Sequence, residues 1–306
     1  MIFTLQNSKF PMSQTTAPYS LNVLLRSFPG LICSGICFGL TMGWAGLVQA
    51  LTVQVSSTRP QQGETIVVSV ETTDPNPVLT WGQKNYPLLP VESRKFRALI
   101  PTTPLDPPGS YILSVQGEGQ ERPYAISLQK RSFSTQYLSI PLTDGDDLDP
   151  YEFDQVDAFK QIVSPRKLWS GTFLRPTSGE VSTPYGVRRY YAGEFAEDYY
   201  HRGVDYAAET GTPVVAPATG RVSLIGRADR FVVHGNTIGL DHGQGVLSIF
   251  LHLSRIDVQE GQIVTAGQVI GRVGSTGAST GPHLHWGLYV NGQAVDPVPW
   301  RYDGID

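Results

Sequence analysis

Cysteine is nearly missing from this 306-residue chain: Cys33 and Cys37 are the only two, and both lie in one apolar run near the N terminus. Everything after that run is free of thiols, which excludes disulfide stapling and thiolate-bound structural zinc. Histidine is sparse, six in all, and positive charge is short, with 23 Lys and Arg against 27 Asp and Glu and a net charge of −4. That balance gives no basic footprint for nucleic acid. Only 16% of residues are charged and 40% are apolar, an ordinary globular composition. Signals for long helices are lacking too. Thirty-two glycines and 23 prolines predict many turns and short strands instead.

The first 50 residues carry Lys9 and Arg26 and no acidic residue. An apolar run from Leu31 to Leu47 follows and ends on Val48-Gln49-Ala50. This order of basic start, apolar centre and small-residue end predicts a secretory signal cut near Ala50. The alternative is a retained N-terminal membrane anchor, for which 17 residues with four glycines is at the short end. The stretch before Arg26 is long for a signal, and Met12 is an alternative start. Neither cysteine has a small residue directly before it, which argues against a lipid-modified cysteine. The expectation is export to the periplasm or cell envelope, with membrane attachment through residues 31–47 if the segment is retained.

Residues 51–130 read as short alternating strands: Leu51, Val53 and Val55, then Thr65–Val70, Val78–Trp81, Lys95–Ile100, Tyr111–Val115 and Tyr124–Leu128. Turn-formers such as Asp74-Pro75-Asn76-Pro77 and Asp106-Pro107-Pro108-Gly109 separate them. The pattern predicts a small β-sandwich, immunoglobulin-like in outline. It contains no histidine, and spacing, docking, wall binding or a structural role all fit it. Residues 131–170 read as a connector with a short helix. Asp149, Pro150 and Glu152 suit an N-cap, a first helical position and a capping-box partner. Phe153, Val156, Phe159 and Val163 recur at helical spacing and predict its packed face; Ser164-Pro165 ends it. The acidic stretch Asp144–Asp149 lacks the glycine and distal glutamate of a calcium loop and reads as a solvated turn.

Residues 171–300 hold the remaining chemistry, with 301–306 as a tail. His283 and His285 are two apart; on a strand both side chains face the same way, about 6.6 Å apart. His201 and Asp205 are four apart. In a straight strand that is about 13 Å, too far to share an ion with bonds of about 2 Å, so chelation needs a bend, and Gly203 can supply it. His252 lies on a further strand, Gly245–Leu253. A catalytic zinc wants three N/O ligands and one open position, which two histidines and an aspartate satisfy, leaving two histidines to manage protons. The last two, His234 and His242, flank the Gly235-Asn236 turn and read as structural or surface residues. Tyr190, Tyr191, Phe195, Tyr199 and Tyr200 precede His201; groove lining and simple packing fit them equally. Asn291-Gly292 predicts a type I′ hairpin after the His-x-His strand.

His201-x-x-x-Asp205, His252-Leu253-Ser254 and His283-Leu284-His285 together resemble the lysostaphin/LytM-type zinc endopeptidases of bacterial cell walls, peptidase family M23. The framework is similar as well: Gly211-Thr212-Pro213-Val214, Ala216-Pro217-Ala218-x-Gly220-x-Val222 and Gly274-x-Thr276-Gly277-x-Ser279-x-Gly281-Pro282. The resemblance covers roughly residues 170–300. It implies a mainly β protein with a C-terminal antiparallel peptidase sheet. It also implies zinc on His201, Asp205 and His285, with His252 and His283 as the catalytic pair. The implied substrate is a peptide bond in peptidoglycan stem or cross-bridge peptides. The oligomeric state is left open by the sequence, with a monomer favoured. Some relatives lack ligands and act as non-catalytic activators of other wall hydrolases; here every expected ligand is present. Two positions depart from the usual pattern. Phe250 stands where a tyrosine is frequent, and Trp286-Gly287 stand where Phe-Glu is frequent, so a carboxylate that orients a ligand must have a substitute.

Overall fold

The structure, a computed structural model, describes residues 51–139 and 150–304. The run 31–47, both cysteines and the Asp144–Asp149 turn lie outside these residues. Among the described residues no helix is long and apolar enough to cross a membrane. The chain is mainly β, as expected.

The first strands are β1 (Thr52–Val55), β2 (Thr65–Glu71), β3 (Val78–Trp81), β4 (Lys84–Tyr86), β5 (Leu89–Glu92), β6 (Lys95–Pro101), β7 (Gly109–Gly117) and β8 (Gln120–Leu128). They form two four-stranded antiparallel sheets, β1-β2-β6-β5 and β4-β3-β7-β8. Alternation puts Ile66, Val68 and Val70 of one sheet and Leu113 and Val115 of the other into a shared core. The short β4 and β5, Lys84-Asn85-Tyr86 and Leu89-Pro90-Val91-Glu92, have too little apolar alternation to announce themselves in the sequence.

The connector is more than a spacer. β9 (Thr135–Leu138) runs parallel to β11 (Arg188–Tyr191), which also pairs β12 (Glu194–Phe195). The helix α1 spans Tyr151–Lys160 and buries Glu152, Val156 and Phe159, an i, i+4, i+7 stripe. Phe159 lies over Gly239, where an added Cβ would come within 2.7 Å of its ring. Two expectations are corrected here. Glu152 does not form a capping box, because the N-cap residue is Pro150, which has no N–H for a glutamate to accept from. Val163 lies beyond the helix end and is exposed, while Phe153 is half-buried.

The remaining strands are β10 (Glu180–Thr183), β13 (Val204–Ala207), β14 (Pro213–Val215), β15 (Gly220–Gly226), β16 (Asn236–Gly243), β17 (Val246–Leu253), β18 (Arg255–Ile256), β19 (Ile263–Val264), β20 (Val269–Arg272), β21 (His283–Val290) and β22 (Gln293–Val295). They build an eight-stranded sheet, β10-β13-β21-β17-β16-β15-β19, with β22 paired to β21, and a three-stranded sheet β14-β20-β18. Asn291 and Gly292 have φ of 45° and 80°, the left-handed pair that a type I′ turn requires. The sandwich docks at this hairpin end. Asn291 Nδ2 donates to the Leu99 carbonyl (2.7 Å) and buried Arg97 donates to Gln244 (3.1 Å), while Arg131 of the connector pairs with Asp296, just past β22 (2.7 Å).

His242 is fully buried in the sheet core. Its Nδ1–H donates to the Thr219 carbonyl (2.9 Å), so Nε2 accepts from Ser248 (2.9 Å), which in turn accepts from Trp286 Nε1–H (3.2 Å). This chain works only with a neutral imidazole, and burial pushes the His242 pKa down from 6.5 to about 4. Above pH 6.5 both folded and unfolded states are neutral. As pH falls from 6.5 toward 4 only the unfolded chain takes the proton, so stability drops, by about 3 kcal/mol once the pH is below both values. Urea unfolding of the parent and of His242→Gln should therefore show a stability gap that is wide at pH 7 and narrows by up to about 3 kcal/mol at pH 4. A gap independent of pH would remove the neutral-histidine account.

Candidate metal centre

The centre is assembled by strand register. In the antiparallel pairing of β13 with β21, Asp205 lies directly opposite His285, and Ala207 opposite His283. Opposed residues share a face, so the carboxylate and the imidazole converge with no special loop. His201 enters from just before β13, across a bend at Gly203. His201 Nε2 lies 3.1 Å from Asp205 Oδ1 and 3.2 Å from His285 Nδ1, and His285 Nδ1 lies 2.8 Å from Asp205 Oδ1. These three residues form a group able to hold a metal ion. Tetrahedral bonds of about 2.0–2.1 Å separate neighbouring donors by roughly 3.3 Å, so the triangle fits a small divalent cation.

The donors are poised for such an ion. Burial alone would raise the Asp205 pKa, but His201 and His285 hold the carboxyl well below its ordinary range. Burial lowers His285 to about 4 against the pull of Asp205. The set is thus a carboxylate with His285 as a neutral imidazole at neutral pH, the protonation state that metal binding requires. His201 donates Nδ1–H to the Pro184 carbonyl (2.8 Å), which leaves Nε2 free to ligate. That carbonyl orients a ligand in the absence of a carboxylate at 287. A side chain at Gly287 would sit 3.0 Å from the Arg202 carbonyl and from Ile249.

His252 and His283 face each other beside the triangle, ring centroids 4.8 Å apart. His283 shares the His285 face of β21. His252 reaches it differently. Between its pairings with β16 at Phe250–Ile238 and Leu253–Asn236, β17 carries one residue more than its partner, a β-bulge, and His252 has φ of +64°. Straight alternation would have placed it on the opposite face from Leu251, which pairs His285. His252 Nδ1–H donates to Thr276 O (2.8 Å) and His283 Nδ1–H to Gly281 O (2.8 Å). Each ring therefore keeps an Nε2 lone pair. Burial, then the neighbouring His283 and His285, lower His252 to about 3.

Of the aromatic stretch before His201, Tyr191, Tyr199 and Tyr200 are core residues. Tyr200 donates to Ala294 O (3.1 Å) and Tyr199 accepts from Arg189. Tyr190 and Phe195 stay nearer the surface, with Tyr190 stacked on Tyr137 of β9 at 4.8 Å. Phe250 is fully buried and Trp286 bonds to Ser248, so neither departure touches a donor. His234 and His242 take no part in the triangle. The orienting carbonyls of Pro184, Thr276 and Gly281 escape sequence reading, because a backbone acceptor has no residue signature.

Gly203 does more than bend. A Cβ there would lie 2.4 Å from the Trp286 carbonyl and 2.7 Å from His285 Nε2. Gly203→Ala should displace His285 and weaken zinc affinity roughly tenfold or more, read by competition with a chromophoric chelator. Parent-like affinity would mean that His285 moves without disturbing the donor set.

Residues 199–297 match peptidase family M23. Over 118 residues the chain is 44% identical to the DD-carboxypeptidase/endopeptidase Mpg of Neisseria meningitidis serogroup B, an alignment covering 39% of this chain and 26% of that protein. Over 105 residues it is 43% identical to lysostaphin of Staphylococcus staphylolyticus, covering 33% and 22%. The chain spans about a quarter of the length of these relatives. A crystal structure of an M23 peptidase from Pseudomonas aeruginosa superposes with a TM-score of 0.59 at 31% identity, over 79% of this chain and 94% of the other. Agreement over nearly the whole of that relative, with the His-Asp-His triangle inside the matched region, places this chain in peptidase family M23.

Proposed function

We propose that the chain is a zinc endopeptidase that hydrolyses peptide bonds in peptidoglycan stem or cross-bridge peptides. The observation that carries this reading is the triangle of His201 Nε2, Asp205 Oδ1 and His285 Nδ1, with edges of 2.8–3.2 Å. Relatives named as a DD-carboxypeptidase/endopeptidase and as lysostaphin support the substrate class. His201, Asp205 and His285 would hold the zinc, which supplies Lewis acidity toward a scissile amide and toward water. His252 and His283 carry the proton traffic. With Nδ1–H committed to a backbone carbonyl, each presents Nε2 as an acceptor; one takes the proton of the attacking water and returns it to the leaving amine. The ring that has taken the proton donates a hydrogen bond to the developing oxyanion before it passes that proton to the leaving amine. The carbonyls that fix the rings, whose centroids are 4.8 Å apart, reduce the reorganisation that the proton transfers need.

Export belongs to the same reading, since the substrate lies outside the cytoplasm and the N-terminal run Leu31–Leu47 has the order of a secretory signal. The two four-stranded sheets of residues 51–130, in the orders β1-β2-β6-β5 and β4-β3-β7-β8, suit an immunoglobulin-like accessory domain.

His285→Ala and Asp205→Ala should each abolish zinc stoichiometry and digestion of purified peptidoglycan together. His252→Ala should keep zinc and lose on the order of a hundredfold in rate or more. Mass analysis of fragments from defined muropeptides identifies the bond. Hydrolysis at parental rate by a metal-free His285→Ala/Asp205→Ala variant would end the proposal. A zinc-loaded parent that digests nothing would favour a non-catalytic activator.

A further inference from the structure

Glu152 is a fully buried carboxylate on α1, outside the residues that match the family. Both of its oxygens lie 3.1 Å from the Val233 N–H, and Oε1 lies 3.3 Å from His234 Nδ1. A buried carboxylate is expensive to desolvate, and α1 does not need it for docking, because Val156 and Phe159 on the same stripe supply the apolar contact. What the carboxylate does supply is a clamp on the loop from Phe231 to Asn236.

That loop leads straight to His252. The His234 carbonyl accepts the His252 backbone N–H (3.0 Å). Asn236 N–H donates to Thr276 Oγ1 (2.9 Å) and Ala278 N–H to the Val233 carbonyl (2.9 Å). Gly235, at φ +67°, sits so close that a Cβ would come within 2.5 Å of Thr276 O. Thr276 O is the acceptor that fixes the His252 ring. The two hydrogen bonds that His252 donates, from main chain and imidazole, therefore end on groups that the clamped loop keeps in place. His252 itself is in the left-handed region, a conformation that persists only when its surroundings enforce it. The His234 ring between Phe153 (5.7 Å) and Phe231 (6.4 Å) completes the link from helix to loop.

We propose that Glu152 is a positioning residue for His252, acting through the Val233–His234 backbone, so that α1 is part of the working enzyme. The proposal rests on the reading of His252 as a proton-transfer group. The test uses the zinc-loaded full chain and Glu152→Gln, which keeps shape and removes the charge. The expected result is a fall in kcat of roughly tenfold to a hundredfold with KM within about twofold and zinc stoichiometry unchanged. With ¹⁵N-labelled histidine, the His252 ring resonances should shift while those of His242 stay put. Should Glu152→Gln fail to fold, the Glu152→Leu/His234→Leu double variant replaces the pair with apolar groups, an exchange that buried pairs often tolerate, and is expected to behave the same way. A lower melting temperature with parental kcat per zinc-loaded molecule and unmoved His252 resonances would overturn the proposal and leave Glu152 as a helix anchor. A parent without peptidase activity would sink the functional reading alone, since the His252 resonances still report whether Glu152 sets that ring.

Discussion

The pairing of Asp205 with His285 across β13 and β21 is the constraint on which the rest of the site depends. Strand side chains alternate with a period of two, so a slip of one residue would turn Asp205 away from His285 and onto the other face. The sheet guards this register from several directions. Gly203 lets the entry to β13 press against the Trp286 carbonyl, and Gly287 leaves room for the Arg202 carbonyl. Trp286, next to His285 and facing the other way, is pinned through Ser248 to His242 and on to Thr219. At the far end of β21 the Asn291-Gly292 turn fixes where the strand reverses.

His252 obeys a different logic. Its face is set by a bulge and a left-handed backbone, which costs on the order of 1–3 kcal/mol for a residue with a Cβ. Hydrogen bonds to His234 O and Thr276 O, each worth about 1 kcal/mol net, offset this on a similar scale. The balance is close enough that the conformation belongs to its surroundings rather than to His252. Asp205 and His285 stand on regular strands, whereas His252 stands where its strand is bulged. A metal site gains from rigid spacing, and an acid–base group gains from being aimed at a point that the strand pleat does not reach.

This division explains what could be read from the sequence. His-x-His on one strand, a carboxylate four residues after a histidine and a glycine between them are side-chain patterns that pointed to a metal site, and the family resemblance named the three donors. The sandwich strands and the Asn-Gly turn were legible for the same reason, since apolar alternation and turn chemistry are local. The bulge at His252 was not, because nothing in Leu251-His252-Leu253 marks an extra residue; it exists only relative to β16. β9 was hidden as well, since Thr135-Gln136-Tyr137-Leu138 takes its strand form from the β11 edge. Glu152 was misread because helix rules assign a glutamate near an N terminus to capping, while here Pro150 removes the N–H and tertiary contact with Val233 decides. Tyr199 and Tyr200, adjacent to His201, were equally ambiguous, and burial settled them.

The accessory sandwich bears on the site through the same strand. Its contacts to Asn291 and Gln244 gather at the hairpin end of β21, whose last residue is seven from His283, about 23 Å along an extended strand. Contacts at that distance do not reach His283. They do restrain the end of the strand whose register aligns His285 with Asp205, and buried Arg97 makes the restraint costly to break, because separation would leave the Gln244 carbonyl without its charged donor. The sandwich and α1 thus bear on the two kinds of element the site contains, the regular strand that carries His285 and the bulged strand that carries His252. A peptidase sheet without them would keep its donor residues and lose the contacts made at Asn291, Gln244 and Val233.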